Sequence, residues 1–437
     1  MRSKLETIGT RPMAATAPLV RWALVGAAAA ALLVCTNGPS TFVGLNLMHP
    51  ANLSFESWAF LYPFGTVALL GLVLLTRHLS EPSNRPSWLA IGPLAAYLTI
   101  TVASATWSFA PNLTPVRAAT GVGVAAFAVW FGSALTGREQ CWAIAIGMQS
   151  GLMASALLLV VKPTWGQMDP FLNHPYWKGI WGNRNSLAPV AVLAILATVA
   201  VSALVRSPRA VLVGASFALF DLVMLVGAQS DTAFVALGGA VVAAALAAVL
   251  LPSLRRLGVP GPAVGAFAAA ATYGLWRVFF ARISWFTDLA GKDTSFTSRR
   301  PIWGAVRELI RVHPAKGYGY WAVWDSAVVN DVYSRLGAFG SAHNALLEVL
   351  LAVGFVGVVP FVGFVVVALH RPFGSVWCRP CVEALFWVAV VVFAVIENLT
   401  ESFVLWHSYI WILVMGAAFT GPRSTSSARG PSGRVEP

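Results

Sequence analysis

The chain has 437 residues, 57% of them hydrophobic and 11% charged, and a net charge of +12. Soluble domains hold roughly 25% charged residues, so this composition excludes a soluble globular protein, in keeping with a mean hydropathy of +0.72. In a multispanning chain the basic excess reads as loop charge and an anionic-ligand site, not as a nucleic-acid surface, and four cysteines (Cys35, Cys141, Cys378, Cys381) make no disulfide framework.

Crossing a bilayer takes about 20 apolar residues in a helix, the open-ended fold that satisfies its own backbone in lipid. Such runs fall at 19–36, 58–76, 88–107, 117–135, 141–161, 186–205, 209–228, 232–251, 261–282, 345–369, 382–398 and 403–420. They predict an all-α polytopic membrane protein of about twelve transmembrane helices. Nine lie in 1–282, followed by a large extracytoplasmic loop with short helices at 283–344; three more occupy 345–420, and 421–437 is a disordered cytoplasmic tail. The first run follows Arg2, Lys4 and Arg11, and no small-residue cleavage pattern succeeds it, so it reads as a span and not as a signal peptide.

Basic residues orient the chain. With the N-terminus inside, the cytoplasmic connections hold Arg77 and Arg85, Arg138, Arg206 and Arg209, Arg255 and Arg256, then Arg371 and Arg379. The intervening short loops at 37–57, 108–116, 229–231 and 399–402 hold no Lys or Arg. Both termini are therefore expected in the cytoplasm, with 283–344 outside.

A second outer loop, 162–185, is rich in Trp, Pro and Asn and carries His174, Lys178 and Arg184. Its aromatics suit an interfacial belt. Its GNRN end sets Arg184 at a helix mouth, where an isolated guanidinium calls for an anionic partner or water. Further along, Asp221 and Arg277 are charges within spans, the residue type that marks an ion pathway.

The stretch 283–344 holds the densest polar chemistry. TSRRPIWGAVRELIRVHP predicts a short helix with Pro301 at its first position and Pro314 beyond its end. Ile302, Val306, Leu309 and Ile310 make an apolar stripe, and Arg300, Trp303, Arg307 and Arg311 lie along another face. Guanidinium groups bind phosphoryl oxygens in bidentate fashion, and an interfacial helix with arginines on lipid headgroups has the same pattern. GYGY at 317–320 reads as a tight turn. His343, at the mouth of the next span, fits a general base, because histidine titrates near neutrality; a hydrogen-bonded interfacial histidine fits equally. CRPC at 378–381 has metal or redox spacing without a partner pair. Glu397 and Glu401 share one helix face if the last outer turn stays helical. There they could orient an arginine, bind a sugar hydroxyl or an acceptor amine, or simply be solvated.

Several of these pieces together resemble the O-antigen ligase and polymerase superfamily, especially its exopolysaccharide-polymerase-like branch. Thr297-Ser298-Arg299 followed by Trp303 is similar to the family's T-G-R-x-x-x-W, with Ser298 in place of glycine. Pro314-x-x-Gly317-x-Gly319 and Ala342-His343-Asn344, with a Leu-rich helix ending Gly354-x-x-Gly357, resemble its later segments. Gly182-Asn183-Arg184-Asn185 and Asn398-Leu399-Thr400-Glu401-Ser402 add to the likeness, and Gln229-Ser230-Asp231-Thr232 is a looser match in which Asp231 stands where a basic residue is common.

The resemblance implies a bacterial inner-membrane glycosyltransferase working without metal or other cofactor and with inversion. It would move a glycan from an undecaprenyl-diphosphate-linked oligosaccharide donor to a glycan or lipid acceptor. Position by position it implies that Arg299 and Arg184 hold the diphosphate, with Arg300 competing for the motif position. His343 would act on the acceptor hydroxyl, with Arg307, Arg311, Asn344 and Glu401 in support. Membrane lipids are the surrounding partners, and nucleic acid is not expected. A polytopic transporter or flippase of a lipid-linked precursor is the alternative, and an assembly scaffold a third.

Overall fold

Among the described residues, most of the expected apolar runs fold as helices, and local signals fix where several begin. In the computed structural model, which describes residues 13–40, 56–81, 87–168, 175–259, 295–337, 340–404 and 408–420, the helices follow in chain order. They are α1 (Met13–Cys35), α2 (Glu56–Leu79), α3 (Trp88–Ala103), α4 (Thr114–Ala134), α5 (Gly137–Val161), α6 (Arg184–Val205), α7 (Pro208–Ala228) and α8 (Asp231–Arg256). After them come α9 (Ser295–Val312), α10 (Asn330–Leu336), α11 (Ala345–Cys378), α12 (Val382–Asn398) and α13 (Tyr409–Ala417). Thr136 and Glu139 form a capping box at α5, and the side chains of Asn183, Ser207 and Asn344 cap α6, α7 and α11.

Eight helices among the described residues are long and apolar enough to cross a membrane: α1, α3 with its 3-10 extension, α4 to α8 and α11. The apolar part of α2 spans Pro63–Leu79, and α12 has 17 residues. The expected run at 261–282, with Arg277, lies outside the described residues, as do His174 and the tail. Among the described residues of the run at 403–420, the 9 of α13 are helical. Each of them is buried, so their apolarity fills the bundle's centre and does not face lipid.

Packing follows small residues. Gly71 and Gly123 bring the backbones of α2 and α4 together, and Gly132 and Gly416 do so for α4 and α13. Helices associate closely in lipid where such residues remove side-chain bulk. In contrast, α7 leaves Leu212, Val213, Leu219 and Val226 exposed, the apolar exterior expected of a lipid-facing helix.

Between α8 and α11, α9 lays Val306 and Ile310 into a separate core with Tyr318, Val323, Val329, Ala342 and Leu351. Its apolar stripe thus packs on the rest of the segment between α8 and α11, expected from the sequence to be the outer one, and is not spent on lipid. Pro301 lies inside α9, not at its first position. There it forfeits the hydrogen bond to the carbonyl four residues back, and the turn that precedes it stays helical.

The expected span at 345–369 is two helical pieces joined at Gly354, whose φ of 60° and ψ of −164° are not helical. The break frees backbone groups, and the segment 314–319 satisfies them. Tyr318 N and Gly319 N donate to Leu351 O (2.8 Å) and Ala352 O (2.9 Å). Phe355 N and Val356 N donate to Pro314 O (2.9 Å) and Ala315 O (3.2 Å). This backbone insertion replaces the tight turn expected at GYGY. Gly317 (φ 65°) and Gly319 (φ 102°) are needed because their backbones meet the carbonyl of Leu351 and the Cα of Ser108, where a Cβ would collide.

Candidate functional site

Four separate stretches converge at the N-terminal end of α11: the start of α6, the start of α9, the turn before α11 and the turn after α12. Helix capping explains two of them. Asn344 caps α11 by accepting from Leu347 N at 3.1 Å, which places His343 just outside the helix mouth. Asn183 caps α6 by accepting from Ser186 N at 3.0 Å, which places Arg184 and Asn185 in its first turn. After α12 ends at Asn398, the chain keeps one further turn, with Glu401 N donating to Glu397 O at 2.9 Å.

Glu401 is the hub. One carboxylate oxygen, Oε1, pairs with Arg299 Nη2 and accepts from Asn185 Nδ2 at 3.0 Å. The other, Oε2, lies 3.0 Å from His343 Nδ1. The Arg299 and Glu401 side chains are only 6% and 12% exposed, whereas His343 keeps 30% of its side chain open. A carboxylate at Nδ1 favours the tautomer with the proton there, leaving the Nε2 lone pair available. Arg299 Nη1 is buried without a hydrogen-bond partner. Glu397, also buried, leaves Oε1 without a partner.

His343 has a φ of +48°, a left-handed backbone that costs a residue other than glycine about 1–2 kcal/mol. The turn is held on both sides. Trp303 Nε1 donates to Ala342 O at 2.9 Å, Asn344 N donates to Ser402 Oγ at 3.0 Å, and Asn344 Nδ2 donates to Leu399 O at 2.9 Å. Asn344 therefore acts through backbone geometry.

The remaining sequence candidates divide. Arg184 sits one residue from the hub's Asn185, donates to Gln229 O at 3.1 Å and stacks over Tyr176 at 4.2 Å. The adjacent arginines of α9 part ways: Arg299 is 5% exposed and turned to Glu401, while Arg300 is on the exposed face. Arg307 and Arg311 are exposed too, and Arg307 Nε donates to Trp303 O at 3.1 Å. Among the described residues, no group of three or more His, Cys, Asp or Glu side chains could hold a metal ion.

Asp221 is fully buried and accepts from Gln149 Nε2 at 2.6 Å; the same nitrogen donates to Thr198 Oγ1 at 3.2 Å. The cluster links α5, α6 and α7 at one place.

Sequence reasoning passed over Arg117. It forms an ion pair with Asp325 (2.7 Å), donates to Trp321 O and stacks on that ring at 4.6 Å. With Thr114 Oγ1 to Tyr320 O (3.1 Å) and Ser104 Oγ accepting from Tyr320 N (2.9 Å), it ties the outer segment to α3 and α4. Burial pushes the Tyr320 phenol well above the usual tyrosine range. An arginine at the end of an apolar run reads as a span boundary, which is why it escaped notice.

Residues 215–362 match the family model described as O-Antigen ligase. The matched stretch covers most of α7, α8, α9 and the outer segment, and α11 through its break at Gly354. No curated protein matches the chain.

Proposed function

Starting from the chain's membership of the O-antigen ligase superfamily, a family of membrane glycan-processing enzymes, we propose a specific reaction for this protein. It transfers or polymerises a glycan from an undecaprenyl-diphosphate-linked donor onto a lipid or glycan acceptor, at the outer face of the cytoplasmic membrane. The observation that carries this reading is the Glu401 carboxylate, which gathers an imidazole, a guanidinium and an amide from distant parts of the chain onto one point.

The chemistry follows from those groups. The acceptor hydroxyl attacks C1 of the donor sugar on the face opposite the diphosphate, so the anomeric configuration inverts. His343 Nε2 takes the hydroxyl proton as the new C–O bond forms, while Glu401 steadies the imidazolium through Nδ1. The C1–O bond to the diphosphate breaks, and its electron pair leaves with undecaprenyl diphosphate. Negative charge grows on that leaving group, and fixed cations in a poorly solvated site stabilise it most strongly. Arg299, with one guanidinium nitrogen free of protein partners, and Arg184, next in the chain to the Asn185 that also bonds Glu401, supply this charge without a metal ion. Arg300, Arg307 and Arg311 on the open face of α9 lie where an anionic substrate would approach.

The test is glycan transfer by the purified full-length protein in liposomes, using the native lipid-linked donor extracted from the membranes that make it. His343→Ala and Arg299→Ala should insert in the membrane and give no product. Wild-type product from both variants would refute the assignment, and movement of the labelled lipid carrier without a new glycosidic bond would make the protein a flippase.

A further inference from the structure

We propose that Glu348 is a positioning residue for this reaction: it clamps the strained turn that presents His343 to Glu401. The inference rests on His343 being the proton acceptor.

Glu348 lies in the first turn of α11 and is 1% exposed. A carboxylate there is commonly explained as a helix-dipole partner, yet its oxygens are committed elsewhere. Oε1 accepts from Ala342 N, the residue before His343. Oε2 accepts from Trp324 Nε1 at 3.0 Å. On the other flank the Ser402 hydroxyl accepts from Asn344 N, the residue after His343, at 3.0 Å. Glu348 therefore fixes one flank of His343 and Ser402 the other.

That arrangement explains how His343 keeps a left-handed φ. Uncommon backbone conformations persist where the surroundings over-determine them, and a buried carboxyl group that accepts from both Ala342 N and Trp324 Nε1 helps to do so. The arrangement also ties the turn before α11 to Trp324 of the outer segment and to Ser402, one residue from Glu401. The imidazole and its carboxylate partner are thus linked through Ser402.

Glu348→Gln separates positioning from folding. The amide keeps the shape but has one acceptor oxygen, so its NH2 faces a donor at either Ala342 N or Trp324 Nε1. Small displacements of a catalytic group cost roughly 10²-fold in rate. The expected result is a fall in kcat of that order, with donor KM and melting temperature close to wild type, using the extracted lipid-linked donor. Ser402→Ala, which loosens the other flank, should show the same split and decides the matter if Glu348→Gln does not fold. His343→Ala is run alongside. Wild-type kcat in a folded Glu348 or Ser402 variant, with His343→Ala inactive, overturns this inference alone. An active His343→Ala overturns the proposed reaction instead. A loss of folded protein with unchanged kcat per folded molecule makes Glu348 merely structural, which also overturns the proposal.

Discussion

Arg299 and Glu401, 102 residues apart in the chain, form an ion pair that is nearly closed to solvent. Removing one member of a buried pair leaves the other charged and uncompensated, at about 3–5 kcal/mol. Arg299→Ala is therefore expected to lower the melting temperature in detergent as well as abolish transfer. In the Arg299→Ala/Glu401→Ala double variant stability should largely return while activity stays absent. A double variant that melts no higher than the single one would deny the pair its energetic role.

At His343 the backbone and the side chain can be tested apart. Asparagine adopts left-handed φ more readily than alanine, so His343→Asn should melt closer to wild type than His343→Ala. Both should lose transfer by roughly 10²–10⁴-fold, the usual contribution of a general base. Normal turnover in His343→Asn would show that an imidazole is not required there.

Gly354 and Gly317 carry the fit between the outer segment and the broken helix. Both have positive φ, and a Cβ on either would meet backbone: Ala315 O for Gly354, and Leu351 O for Gly317. Gly354→Ala and Gly317→Ala should each reduce folded yield and melting temperature, by a destabilisation larger than the roughly 0.4–1 kcal/mol by which a glycine-to-alanine change stabilises where the backbone allows it. Thermal melts of the purified proteins read this directly. Unchanged melting in both would mean that the junction is not tightly packed.

Orientation can be read with the native cysteines. Cys378 and Cys381 are exposed and free, while Cys35 and Cys141 are buried. With the N-terminus inside, a membrane-impermeant maleimide should miss the exposed pair in intact cells and label it in inside-out vesicles. Lys316→Cys, in the outer segment, should be labelled in intact cells. The opposite pattern would invert the arginine-based orientation.

The helical architecture was legible because lipid demands long apolar runs, and these need no tertiary context to be recognised. Several helix starts carry local signals of the same kind that sequence reasoning passed over, since Asn183, Ser207 and Asn344 are capping residues by type. What stayed hidden depends on contacts between distant segments. Nothing local distinguishes Gly354 from other membrane-helix glycines, and its break becomes intelligible only once 314–319 fills it. The buried Arg299 and exposed Arg300 are neighbours of identical chemistry, separated only by which side of α9 meets Glu401. Glu401 itself could be seen as a candidate orienter of an arginine, but its second partner, His343, could not be read from spacing. The short α13 misled because a fully buried peg and a lipid-facing span have the same composition.

The insertion at Gly354 also bears on how the protein is made. Leu351 O, Ala352 O, Phe355 N and Val356 N rely on partners from a segment synthesised before α11. Gly354 lies about 14 Å along α11 from its start, and each of these groups, if left unpaired away from water, costs several kcal/mol. The ribosome therefore releases the plug ahead of the socket, so residues 314–319 are available when α11 folds. Seating that helix and closing the outer segment become a single event in assembly.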